Sequence, residues 1–134
     1  MFYNFDLLIE ANTPESAPAE LDVKLSHGVI THVEVEFPPG CAGLVHAYVH
    51  QAIHQVWPTN PDGKFATDSQ RLVWYDYYEL FQAPYQLTIA GWNEDDTFDH
   101  QLTFRFEVTP QDIAERGQVM ESWLDKVRYL LGLR

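Results

Sequence analysis

The chain has 134 residues and a single cysteine, Cys41. This length fits one domain that folds without covalent staples, and one cysteine excludes an intrachain disulfide framework. Eight Lys and Arg against twenty Asp and Glu give a formal net charge of -12. Such a surface repels phosphate backbones, so the composition argues against direct binding to nucleic acid.

The first residues, 1–11, contain Asp6 and Glu10 and no basic stretch. They fit a first β-strand better than a signal peptide, which begins with a positively charged region. No apolar stretch approaches the roughly 18 residues that a membrane-spanning helix requires. We therefore expect a soluble protein without a membrane span, intracellular when it is synthesised.

Upstream of Thr109, apolar and polar residues alternate with a period of two, as in strands with one wet face. Five stretches show this pattern: 3–9, 21–25, 29–37, 85–89 and 102–108. A further run, 71–81, is rich in aromatic residues without clean alternation, which is consistent with a strand covered on both faces. Together with the segment Leu44–Trp57, these runs predict seven or eight strands.

Two segments bear on how the strands connect. We expect 21–25 and 29–37 to form an antiparallel hairpin, because Gly28 between them can adopt a positive φ. The segment Leu44–Trp57 matches both a strand and one face of a helix. Its all-β surroundings favour a strand that folds back near Gln51–Ala52 into a hairpin.

Because no helix falls between these strands, the sequence predicts an all-β fold rather than an α/β fold. We expect a two-sheet antiparallel sandwich, jelly-roll-like, over residues 1–109. One C-terminal amphipathic α-helix follows over residues 110–134.

The change from a period of two to a helical period comes near Thr109. Thr109 is the predicted N-cap, and Pro110 suits the first helical position. The apolar stripe consists of Ile113, Met120, Trp123, Leu124, Val127, Leu130 and Leu131. Positions 113, 120 and 127 repeat at seven residues, which is coiled-coil spacing. The stripe either covers its own sandwich or meets another chain, and the heptad spacing favours an oligomer interface.

Three histidines, His46, His50 and His54, are the best candidates for metal ligands. On a helix they would share one face, and neighbouring pairs could ligate zinc. On one strand, four residues span roughly 13 Å, which is too far for a shared ion. A hairpin could bring two of them together in a cupin-like site. Surface or structural histidines remain the favoured interpretation, and we expect no cofactor.

Trp57 and Trp92 are candidates for stacking on sugar rings, although tryptophans in a sandwich are more often part of the core. The acidic segment 93–99 lacks the spacing of an EF-hand loop and is better explained as a turn between strands. The serines lie in no nucleophile motif. The sequence therefore favours a protein without enzymatic activity.

The preferred hypothesis is a structural or interaction protein that assembles with itself or onto a larger particle, such as a virion or another decorated surface. The terminal helix would be its tether or oligomerisation element. The first alternative is a carbohydrate-binding β-sandwich module with a glycan as partner. The second alternative is a cupin-like metalloenzyme. The particle setting rests on analogy with small capsid and appendage modules.

Overall fold

The computed structural model describes residues 1–132, which form eight strands and one helix. The elements are β1 (Phe2–Ile9), β2 (Ala19–Lys24), β3 (Gly28–Phe37), β4 (Val45–Gln51), β5 (His54–Trp57), β6 (Gln70–Leu80), β7 (Gln86–Asn93), β8 (His100–Thr109) and α1 (Gln111–Leu130). The predicted all-β fold with one C-terminal helix is confirmed. The last two positions of the predicted helical segment, 133–134, lie outside the described residues.

The strands form two four-stranded antiparallel sheets. One has the order β1-β8-β3-β6, and the other has the order β2-β7-β4-β5. The antiparallel pairs nest along the chain: β4 with β5, β3 with β6, β2 with β7 and β1 with β8. Eight strands in this nested order form a jelly roll, as the sequence predicted.

The predicted hairpin between 21–25 and 29–37 is wrong. β2 pairs with β7 in one sheet, whereas β3 pairs with β6 and β8 in the other. Alternation identifies a strand but does not identify its neighbour, and here the chain crosses between the sheets. Gly28 lets the start of β3 lie close to the end of β8, because a Cβ at this position would lie 2.7 Å from the carbonyl oxygen of Thr109.

The predicted hairpin in Leu44–Trp57 is confirmed. β4 and β5 pair antiparallel, with Gln51 opposite His54. Ala52 between them adopts a φ of 51°, in the left-handed region that tight turns use.

The aromatic strand β6 pairs with β3 across a β-bulge. Its Tyr75 lies opposite His32 and its Tyr78 opposite Ile30, so β6 carries one residue more than β3 over this stretch. Even-numbered residues of β6 face inward on both sides of the bulge. Trp74 and Tyr78 pack against the core, whereas Tyr75 is exposed. The expectation that both faces of this strand are covered is therefore wrong.

Apolar side chains from both sheets fill the space between them. The largest fully buried side chains are Phe37, Phe104 and Phe106. Gly91 lets β7 approach β4, since an added Cβ would lie 2.6 Å from the carbonyl oxygen of His46. The interior is thus a packed core, and the faces available for function lie outside it.

Candidate interaction surface

The helix α1 follows β8 almost without a linker. Thr109 is the last residue of β8, and its hydroxyl pairs with that of Thr31 at 2.8 Å. The helix begins at Gln111, after Pro110, and has no side-chain cap. The prediction of Thr109 as the N-cap is therefore wrong, because a hydrogen bond within the sheet already engages its hydroxyl.

Only the first turns of α1 lie against the sandwich. Ala114 is the one buried residue among those of α1. A groove of about 480 Å³ separates this part of the helix from the sheet, with Gly117 and Gln118 on the helix side and Tyr77 on the sheet side. The helix side of the groove is mostly small and polar, with one large apolar residue, Ile113, at its edge.

The apolar stripe of α1 points away from the sandwich. Trp123 and Met120 keep 58% and 57% of their surface exposed, and Ile113, Leu124, Leu130 and Leu131 are exposed as well. Val127 is half-buried. At about 100° per residue, Trp123 lies about 180° around the helix from Ala114. Six of the seven predicted interface residues are therefore exposed within the described residues, and we call the seven together the α1 stripe.

Val119 widens the α1 stripe and was missed by the sequence reasoning. It is exposed and lies with Met120 and Trp123 along one side of the helix. Its position four residues before Trp123 places the two side chains on neighbouring turns of one face. That spacing was readable in the sequence, but the strict heptad count of 113, 120 and 127 passed over it.

Charge divides the chain in the same way as structure does. Residues 1–110 contain four Lys and Arg and sixteen Asp and Glu, so they carry the whole net charge of -12. Residues 111–134 contain four of each sign and are neutral. Two copies of the terminal segment can therefore approach each other without net electrostatic repulsion.

The helix has little to hold it in water by itself. Most helical stability in proteins comes from packing an apolar face, and within residues 1–132 most of the α1 stripe is exposed. Arg116 and Asp112 lie 3.7 Å apart and Arg128 and Asp125 lie 3.3 Å apart, but all four side chains are exposed. Exposed ion pairs contribute little. A partner that covers the α1 stripe would stabilise the helix.

The histidine candidates lie outside the sandwich and do not converge. The imidazole of His46 stacks on Trp92 and lies 3.5 Å from Glu94. His50 lies 3.7 Å from a different carboxylate, that of Glu20. His54 is exposed on the neighbouring strand. His46 and His50 thus contact different carboxylates, and the cupin-like hypothesis stays a prediction.

The tryptophan candidates are buried. Trp57 is 3% exposed, and its indole nitrogen donates a hydrogen bond of 2.7 Å to Asp76. Trp92 is 6% exposed, and the His46 ring covers one of its faces. Neither indole offers a free face on which a sugar ring could stack. The carbohydrate-binding hypothesis thus loses these two tryptophans as stacking residues and otherwise stays a prediction.

The acidic segment 93–99 is an ordered turn between β7 and β8. Asp95 accepts hydrogen bonds from the backbone N–H groups of Thr97 and Phe98 at 2.9 and 3.2 Å. Its second carboxylate oxygen lies 3.0 Å from the imidazole of His100. The hydrogen bond from His100 is the main cause that lowers the pKa of Asp95. The cluster is thus explained by the turn itself.

Cys41 is a buried structural residue. Burial, together with the charges of Asp68 and Asp95, raises the pKa of its thiol to about 11. A nucleophilic cysteine needs a lowered pKa, so this environment does the opposite of activating it.

Within residues 1–132, no group of three or more His, Cys, Asp or Glu side chains is arranged to hold a metal ion. The part of the chain that the structure describes has no helix with the length and apolar character needed to cross a membrane. The α1 stripe remains the surface with the clearest need for a partner. Comparison of the chain with models of known protein families and with curated proteins finds no match.

Proposed function

We propose that this chain is a non-enzymatic structural protein that assembles with itself through α1. The observation that carries the proposal is the α1 stripe, an apolar surface that the sandwich leaves exposed. A solvated monomer would expose Trp123, Met120 and Leu130 on a helix with almost no tertiary support.

A second copy of the same helix suits this surface. Ile113, Met120 and Val127 occupy one set of heptad positions, and Trp123 and Leu130 occupy the set between them, whose first position is the exposed Arg116. The terminal segment is neutral, so identical helices meet without net repulsion. Exposed Val119 and Leu124 extend the stripe beyond the two heptad rows. This width favours a bundle of more than two helices.

Light scattering after size-exclusion chromatography tests the proposal. The full-length chain is expected to have a mass that is a multiple of 15.5 kDa. Deletion of residues 111–134 should lower the number of subunits per particle, while circular dichroism of the truncated chain should retain the β spectrum. An oligomer that survives the deletion unchanged would contradict assembly through α1.

Attachment to a larger particle, such as a virion surface, would use the same stripe. It predicts a different result in the same experiment, namely a full-length chain that is monomeric at every concentration. That result would overturn self-assembly and leave α1 as a tether to a different protein.

A further inference from the structure

The open edge of β1 is a second surface of the molecule, and it differs from the α1 stripe because it is a strand edge and not a helix face. This strand is an end strand of its sheet and pairs only with β8. It runs for eight residues without a register shift, and it contains neither lysine nor proline. Natural proteins usually protect edge strands by lysine, proline, bulges or short length. β1 has none of these, and its one charged side chain is the exposed carboxylate of Asp6.

The backbone of β1 presents its even-numbered residues to the open edge. Met1 and Val108 exchange two backbone hydrogen bonds, of 2.8 and 2.7 Å. In an antiparallel ladder such exchanging pairs alternate, so the odd-numbered residues of β1 bond to β8. The N–H and C=O groups of Phe2, Asn4, Asp6 and Leu8 point outward, and within the described residues no group outside β1 bonds to them.

We propose that two copies of the chain join edge to edge through β1, antiparallel, with Phe5 of each copy at the twofold axis. In this register Phe2 lies opposite Leu8 of the partner subunit, and Asn4 lies opposite Asp6 of the partner subunit. All four outward-pointing residues then exchange backbone hydrogen bonds, because even-numbered residues face even-numbered ones. The two four-stranded sheets become one sheet of eight strands.

The side chains in this register are complementary. Phe2 and Leu8 are 56% and 52% exposed in the single chain. In the pair, Phe2 of one copy contacts Leu8 of the partner subunit. Asn4 accepts a hydrogen bond from Arg105 through Oδ1, which leaves its Nδ2 free to donate. Asp6 accepts from Thr103 through Oδ1, which leaves its Oδ2 free to accept. The axis therefore carries two apolar pairs and two amide-to-carboxylate pairs, without opposed like charges.

The other three edges do not offer this match. β5 has only four residues. β2 is six residues long and carries three charged side chains, Glu20, Asp22 and Lys24. β6 is interrupted by its bulge, and the carboxylate of Asp76 there is engaged by Trp57. β1 is thus the edge best suited to meet a copy of itself.

The β1 edge contact uses different residues from the α1 contact, so one chain can form both at the same time. A twofold contact between like edges closes on itself and makes only pairs. A helix bundle links chains through a different surface. A chain with both can join each bundle to neighbouring bundles, which builds an extended or closed multi-subunit assembly rather than a small oligomer.

Amide hydrogen exchange measured by NMR on the full-length chain tests the edge contact. The amides of Phe5 and Leu7 bond to β8 and should be protected at every concentration. The amides of Asn4, Asp6 and Leu8 should gain protection as concentration rises. Rapid exchange of these three amides at every concentration would overturn the proposal.

Two variants separate the edge contact from other causes of protection. Asn4→Asp keeps the acceptor for Arg105 but places a carboxylate at position 4 opposite Asp6 of the partner subunit, twice per dimer. It should weaken the edge-to-edge association about 10- to 30-fold. Adding Asp6→Asn exchanges the two side chains and should restore pairing. Equal protection in Asn4→Asp and the wild-type chain, or no recovery in the double variant, would refute this register.

The same measurements in a Trp123→Ala background keep the two interfaces apart. Edge pairing predicts that protection of the β1 amides persists when the α1 stripe is impaired. If protection disappears with Trp123→Ala, the edge contact does not exist as an independent interface. If the mass of the helix-linked oligomer falls while the β1 amides stay protected, the edge proposal stands independently of the proposed assembly through α1.

Discussion

Replacement of Trp123 by alanine gives the sharpest test of the α1 stripe. A tryptophan buries about 150–250 Å² when it is fully covered. Trp123 is still 58% exposed in the single chain, so a partner can cover about 90–145 Å² more. At about 25 cal/mol per Å², this burial contributes roughly 2–4 kcal/mol per chain to association. We expect Trp123→Ala to weaken self-association roughly 40- to 400-fold per chain.

Sedimentation equilibrium of the full-length variant measures this change, and Tyr129→Ala is its matched control. Tyr129 is also aromatic and is 84% exposed. It lies about 120° around the helix from Trp123, away from the α1 stripe. Its loss should leave association within about threefold of the wild-type value. Equal effects of the two substitutions would refute the assignment of the interface to the α1 stripe.

Three further predictions concern the body. Gly91→Ala should lower the free energy of unfolding by about 1–3 kcal/mol in urea titrations, because the new Cβ meets the His46 carbonyl oxygen at 2.6 Å. The lowered pKa of Asp95 means that its carboxylate stabilises the fold above the pKa of the unfolded chain, and that this contribution is lost as pH falls through the folded-state pKa. Asp95→Asn should therefore flatten the acid side of the stability curve. Cys41 should react with a thiol reagent at neutral pH only after unfolding.

The first two of these predictions have a control variant within the same chain, and the third has a contradicting outcome. Gly117→Ala has open space around the new Cβ and should raise helix stability by about 1 kcal/mol, and a loss there would contradict the packing argument. Asp62→Asn removes an exposed carboxylate and should leave the acid limb of the curve in place. Rapid labelling of Cys41 in the folded protein would show that its burial is incomplete.

The strands were readable from the sequence because a half-buried strand imposes a period of two on its own residues. Their partners were not. β2 and β3 each showed the alternation clearly, yet they lie in different sheets, and only contacts between distant parts of the chain decide this. Local rules failed again at Thr109, whose hydroxyl suits a helix cap by type but is engaged by Thr31 on another strand.

The candidate site shows the same division between local and distant information. The helical spacing identified the α1 stripe in advance, but only the structure shows that Trp123 points away from the sandwich. The tryptophans Trp57 and Trp92 could not be sorted in advance, because a strand pattern does not reveal whether another strand or loop covers its outer face. The even-numbered edge of β1 required the observed hydrogen bonds of Met1 and Val108.

The nested pairing of the strands has a consequence for how the protein is made. Phe2 at one end of β1 pairs with Glu107 in β8, so the partner of the first strand is synthesised about 100 residues later. At about 5–20 residues per second, β1 waits on the order of 5–20 s with its ladder unpaired. The β4–β5 hairpin closes the shortest loop and is available first, and the partners of β3, β2 and β1 are then synthesised in that order. An emerging chain therefore carries an unpaired β1 until nearly all of its sandwich has been made.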